Sequence, residues 1–317
     1  MRTGSARVAI VGAGSVGATI AYATLIRGVA EEVVLFDVNR PKVDAEVLDL
    51  RHGLQFVAAA TVDGSDDVEI CRGADVVVVT AGAKQQPGQT RMELAAANAA
   101  LCRDLLPRLV EVAPDAIVLL VTNPVDVITE VAVEVTGLPV GHVFGSGTVL
   151  DTSRLRHLVA QRCDVAVQSV HAFIAGEHGD TEIALWSSAT IGSVPLLAWT
   201  GAGGPLTEAE EEALLDQVRR AAYRIIEGKG ATNYAIGLAT ARILEAVLRD
   251  ERAVLPVSVP LDGHLGLHDV CLSLPAAVGR GGVEHVLPVP LSERERRDLE
   301  ASAEAIRSTV RSLTSTS

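Results

Sequence analysis

The stretch RVAIVGAGSVG, residues 7–17, decides how this chain is read. Val8 to Val11 have the length and apolar content of a short buried strand, and GAGSVG then breaks the run with glycines at 12, 14 and 17 before helix-forming residues resume. Each glycine has a physical task. Gly12 permits a tight turn, Gly14 lets the backbone approach a pyrophosphate, and Gly17 lets the helix pack closely on the strand. The unpaired N–H groups at the helix start offer positive potential to such an anion.

Working outward, EVVLFD reads as a second strand ending at Asp37, 20 residues after Gly17. A carboxylate there accepts hydrogen bonds from an adenosine ribose and repels a 2′-phosphate, so the cofactor expected is NAD and not NADP. Further apolar runs, ADVVVVTAGA and DAIVLLVTNP, are separated by helical stretches such as RMELAAANAALCRDLLPRLVEVA. Strands alternating with helices predict an α/β fold, a Rossmann-type doubly wound parallel sheet over residues 1–147. The pattern then changes. VQSVHAFIAGEHGDTEIALWSSATIG reads as paired strands, Thr207 with Glu210 and Ser292 with Glu295 read as capping boxes, and a helix is expected from about Thr232 to Leu248. Residues 148–317 are therefore expected to form an α+β catalytic domain, with the change placed near Gly147.

Composition narrows the function classes. Of 317 residues, 27 are Lys or Arg and 40 are Asp or Glu, and the resulting net charge of −13 argues against nucleic-acid or anionic-lipid partners. Aromatics are only 3% against 48% apolar residues, so the core must be built from Val, Leu, Ile and Ala, as in a buried parallel sheet. The four cysteines are widely spaced and form no CxxC, which predicts buried thiols in a reducing compartment, with no disulfide and no metal site. Glycine spacing near the N-terminus departs from a signal peptide, no transmembrane run is seen, and a cytoplasmic location is expected.

GAGSVG, TAGAKQQPGQTR, TNPVD, GSGTVLDTSRLR, GEHGD and EGKGAT, in this order and spacing, resemble the lactate dehydrogenase branch of the lactate/malate dehydrogenase family, as found in bacteria. The resemblance runs from about residue 7 to residue 313. It implies hydride transfer between NADH and a small 2-keto acid, with pyruvate and L-lactate as the substrate pair. His178 in GEHGD takes the role of proton donor and acceptor, for which an imidazole titrating near ~6.5 is suited. Asp151 resembles the carboxylate that orients it and stabilises the imidazolium, and Arg154, three residues further along a predicted helix, the fork that binds the substrate carboxylate. Arg91, ending a Pro- and Gly-containing loop, resembles the arginine that closes over the carbonyl and polarises it. Asn123 and Thr232 are expected at the substrate, Asn123 also at the nicotinamide. Val16, Lys42, Gly82 and Ala83 complete the expected cofactor set with Gly12, Gly14, Gly17 and Asp37.

Gln85 lies six residues before Arg91, where relatives acting on malate carry a second arginine. Without it, the extra carboxylate of oxaloacetate would be uncompensated, at a cost of about 3–5 kcal/mol, so pyruvate is the expected substrate. Malate dehydrogenase, or another 2-hydroxy acid dehydrogenase, is the alternative enzyme. A non-catalytic nucleotide-binding protein is the alternative of a different class; it would need only the glycines and Asp37. Arg156 and His171 occupy positions where bacterial relatives bind fructose 1,6-bisphosphate across a subunit interface, so that effector and a homotetramer are further expectations.

Overall fold

Consecutive apolar residues at the start of the chain are buried on both faces, which is the environment of a central parallel strand. The computed structural model describes residues 5–83 and 91–314, and among these nine strands make one sheet in the order β14-β13-β12-β6-β5-β4-β1-β2-β3. Its parallel part is β1 (Arg7–Val11), β2 (Glu32–Phe36), β3 (Thr61–Ser65), β4 (Val76–Val79), β5 (Ile117–Leu120) and β6 (Val143–Gly145). The helices between them are α1 (Ser15–Arg27), α2 (Arg40–Gly53), α3 (Arg91–Val112) and α4 (Val125–Thr136). Because β1 lies between β2 and β4, the strand order reverses there, opening a crevice at the carboxyl ends of β1 and β4 where ligands of such sheets bind.

After β6 the chain enters α5 (Val149–Cys163) and four short strands, β7 (Val170–His171), β8 (Ile174–Ala175), β9 (Ile183–Ala184) and β10 (Thr190–Ile191), followed by β11 (Val194–Pro195). They pair antiparallel, as β8 with β9 and as β7, β10 and β11 in a small sheet. Two long helices follow, α6 (Glu208–Lys229) and α7 (Tyr234–Leu248), then β12 (Ala253–Asp262), β13 (His268–Gly279), β14 (Gly282–Val286) and α8 (Glu293–Thr314). Both predicted capping boxes form. Thr207 Oγ1 accepts the Glu210 N–H while Glu210 accepts the Thr207 N–H, and Ser292 and Glu295 do the same.

The C-terminal strands do not stand apart from the first sheet. β12 pairs antiparallel with β6 through Ser258 and Gly145, and β13 and β14 extend the sheet beyond it. Consequently one apolar cluster runs from Val8 through Leu119 to Leu272 and Ile306, while a second, around Leu155, Ile174 and Leu196, fills the space under the small strands. Helix α7 also docks on α1. Gly237 meets Thr19 so closely that a Cβ would lie 2.7 Å from its methyl group, and Asn233 Nδ2 donates to Thr19 Oγ1 at 3.1 Å. All four cysteines are buried free thiols, and burial raises each above the usual thiol value.

Candidate active site

The glycine turn is shaped by contacts that leave no room for side chains. Gly12 has φ +104°, and a Cβ on it would sit 2.7 Å from Thr80 Oγ1; on Gly17 a Cβ would fall 1.9 Å from the Gly12 carbonyl oxygen. Gly14 stands at the N-cap of α1 with no side-chain cap, so the first N–H groups of the helix face outward unclaimed. Asp37 follows β2 and turns back over this turn, Oδ2 accepting the Ala13 N–H at 2.8 Å and Oδ1 the Asn39 N–H at 3.0 Å. Lys42 Nζ comes within 4.0 Å of the place a Gly14 Cβ would take.

These residues line one end of a cleft of about 1160 Å³ that also takes in Val16, Gly82, Ala83 and Asn123. A dinucleotide fits this cradle: bare backbone for the pyrophosphate, helix N–H groups aimed at it, and a carboxylate for the ribose. The loops are held by Asn98 of α3, a buried residue that the sequence reading passed over. Its Oδ1 accepts the Ala83 N–H and its Nδ2 donates to the Asn123 carbonyl, both at 2.7 Å.

At the other end of the same cleft lie Asp151, Arg154, His178 and Thr232. Asp151 sits in the first turn of α5, whose start is fastened by Thr148 Oγ1 donating to the Ile174 carbonyl and by Thr152 Oγ1 accepting the Ile174 N–H. The Asp151 side chain is 2% exposed, yet both oxygens are used: Oδ1 by Arg154, Oδ2 by His178 Nδ1 at 2.5 Å. Burial alone would raise its pKa, but the two cations beside it win and hold it below the usual carboxylate value. Because Asp151 is the ionised acceptor, Nδ1 of His178 carries the proton and Nε2 is the nitrogen left for the cleft. Burial disfavours the imidazolium as well, but Asp151, with Glu182 and Asp126, outweighs it and raises His178 to about 9.

Two acids that sequence reasoning did not single out complete this end. Asp126 of α4, 1% exposed, accepts the His178 backbone N–H at 2.7 Å and the Ser258 hydroxyl at 2.6 Å, thereby pinning the histidine loop to β12. In sequence it looks like an ordinary acid in a helix's first turn, so nothing flagged it. Glu182, also 1% exposed, places a carboxylate oxygen within 4.8 Å of the Asp151 and His178 ligand atoms. Its signal was present: a charged residue opening the apolar run EIALW.

Thr232 lies in the loop before α7 and lines the cleft; the N-cap position falls to Asn233, which makes no side-chain cap. The helix expected from Thr232 thus begins two residues later. Arg156 turns away from the cleft, its Nε bonded to the Ala172 carbonyl at 2.9 Å and its guanidinium 4.9 Å from the Phe173 ring centre, next to exposed His171. Gln85 and the side chain of Arg91 lie outside the described residues.

A dinucleotide cradle that opens directly onto a half-buried histidine paired with a buried aspartate, with an arginine beside them, defines the class: an NAD-dependent oxidoreductase. Family comparison agrees. The lactate/malate dehydrogenase NAD-binding domain matches residues 6–145, and the α/β C-terminal domain of the same family matches residues 148–316. The chain belongs to the lactate/malate dehydrogenase family. It is 50% identical over 305 residues to the L-lactate dehydrogenase of Bifidobacterium animalis subsp. lactis, covering 96% of this chain and 95% of that one. It is 48% identical over 308 residues to the L-lactate dehydrogenase of a Synechococcus strain, covering 96% and 98%. The ligand-bound crystal structure of the minor L-lactate dehydrogenase from Enterococcus mundtii superposes with a TM-score of 0.93 at 39% identity, covering 97% of this chain and 98% of that one.

Proposed function

We propose that this protein is an L-lactate dehydrogenase that interconverts pyruvate and L-lactate, with residues 1–147 as the NAD-binding lobe and 148–317 as the catalytic lobe. The observation that carries the reading is the Asp151–His178 pair, with Arg154, at the end of the cleft that begins at the glycine turn. When bound, NADH supplies the hydride. The chain's own residues do the rest. Arg154 spends one edge on Asp151 and binds the substrate carboxylate with the remainder of its fork. His178 donates the Nε2 proton to the carbonyl oxygen as it becomes an alkoxide, and Asp151 holds the imidazolium in position until then. Arg91, the first residue of α3, polarises that carbonyl, and Thr232 and Asn123 complete the pocket.

Pyruvate is the preferred 2-keto acid because Gln85, six residues before Arg91, stands where relatives acting on malate carry a second arginine. Names of the relatives, all L-lactate dehydrogenases, support the same choice. Arg156 and His171 form a site for fructose 1,6-bisphosphate in a homo-oligomer, expected to be a tetramer; their adjacency beside Ala172 supports this. The buried thiols suit a reducing compartment, and the cytoplasm is the location assigned.

The test is NADH oxidation with pyruvate or oxaloacetate, each titrated with and without the bisphosphate. Pyruvate should lead in kcat/KM by about two to three and a half decades, the equivalent of an uncompensated buried charge. Oxaloacetate preference would overturn the substrate choice. A pyruvate KM indifferent to the bisphosphate would remove the effector and leave the enzyme.

A further inference from the structure

Two buried carboxyl groups, Asp151 and Glu182, line the His178 end of the cleft, and among the described residues only Asp151 is bonded to cations. Asp151 is bonded to Arg154 and His178. Glu182, equally buried, has no hydrogen-bond partner for Oε1 among the described residues, and Arg219 of α6 turns its guanidinium to the Glu182 main-chain carbonyl and not to the carboxyl group. Arg219 Nε is itself buried without a partner. Among the described residues, an ionised Glu182 would therefore set a second negative charge within 4.8 Å of the Asp151 carboxylate with no cation bonded to it. Two like charges so close in a dry site cannot both persist, and the less well paired group keeps its proton.

We infer that Glu182 is a positioning residue of the proton-transfer site: a neutral carboxylic acid beside Asp151 and His178 that keeps a second negative charge out of the cleft. The inference rests on the reading of His178 as proton donor. Facing Glu182 are Asp151 and Arg154 from α5, His178 from its own loop and Arg219 from α6, while Asp126 from α4 faces His178. Burial and the Asp151 charge raise Glu182 to about 9, against the pull of His178, Arg154 and Arg219. Near neutral pH the site then carries Asp151 negative, Arg154 positive and Glu182 neutral, so the only proton that comes and goes is the one on His178. At alkaline pH Glu182 ionises too. The new charge holds the imidazolium longer, and the two groups release their protons as a linked pair.

The experiment compares wild type with Glu182→Gln, a neutral side chain of the same shape, and with Glu182→Met should Gln pack badly. Infrared difference spectra of the unliganded proteins at pH 7 should show a carboxylic acid C=O band that the variant lacks. In pyruvate reduction the alkaline limb of kcat/KM should move to lower pH by about half to one unit. A structural role alone would not move that limb. Carboxylate bands in place of the acid band, or an alkaline limb that does not move, would overturn the assignment. Because the infrared reading needs no turnover, failure of the lactate dehydrogenase reading would appear separately, as inactive wild type with the acid band intact.

Discussion

At His178 burial and charge pull in opposite directions, and the short bond to Asp151 decides between them. The folded protein holds the imidazolium more firmly than water does, so the protonated form that the proposed pyruvate reduction requires persists through neutral pH and is lost as pH rises through about 9. Lactate oxidation, which needs the neutral ring, should rise over the same interval. Asp151→Asn removes the main stabilising charge. Its pH profile for kcat/KM in pyruvate reduction should break about one to three pH units lower, with NADH affinity by fluorescence titration nearly unchanged. An unmoved break would mean that another group titrates. His178, Asp151 and Arg154 were singled out in sequence because the resemblance rests on local motifs, GEHGD and GSGTVLDTSRLR, whereas i,i+3 spacing alone would describe an ordinary surface pair. Glu182 and Asp126 were not, because their effect depends on which distant groups are buried beside them.

The cofactor end of the cleft depends on how α3, through Asn98, ties the loop after β4 to the loop after β5. Asn98→Leu would leave the Ala83 N–H and the Asn123 carbonyl without their partner, at roughly 1–3 kcal/mol for each group that stays buried. The expected result is a lower midpoint in urea unfolding together with weaker NADH binding. A stable variant with unchanged affinity would show that water replaces both bonds. Most elements here were predicted from periodicity, because alternating apolar runs and capping residues act within a few positions of the chain. The start of α7 was not, since the side chain of Asn233 is drawn away to Thr19 on α1, a contact between residues 214 positions apart.

Across the whole molecule, α1 and α7 carry exposed apolar residues at i,i+4 spacing: Tyr22 and Ile26 on the first, Tyr234 and Leu238 on the second, the latter pair 71% and 54% exposed. In the proposed oligomer these exposed apolar residues are what a second copy of the chain is expected to cover. Ile26→Glu combined with Leu238→Glu should shift the sedimentation coefficient to that of a smaller species without unfolding the chain. An unchanged assembly would place the interface elsewhere. By itself, the sequence determined the glycine turn, the strand and helix alternation and the family motifs that carry the proposed catalytic residues, because each is written in residues close together along the chain. Only the tertiary structure decided that β12, β13 and β14 complete the first sheet, that Asn98 and Asp126 brace the two ends of one cleft, and that Glu182 meets Asp151. Proximity across the fold is set by how buried surfaces pack, and burial also determines which carboxyl group retains its proton.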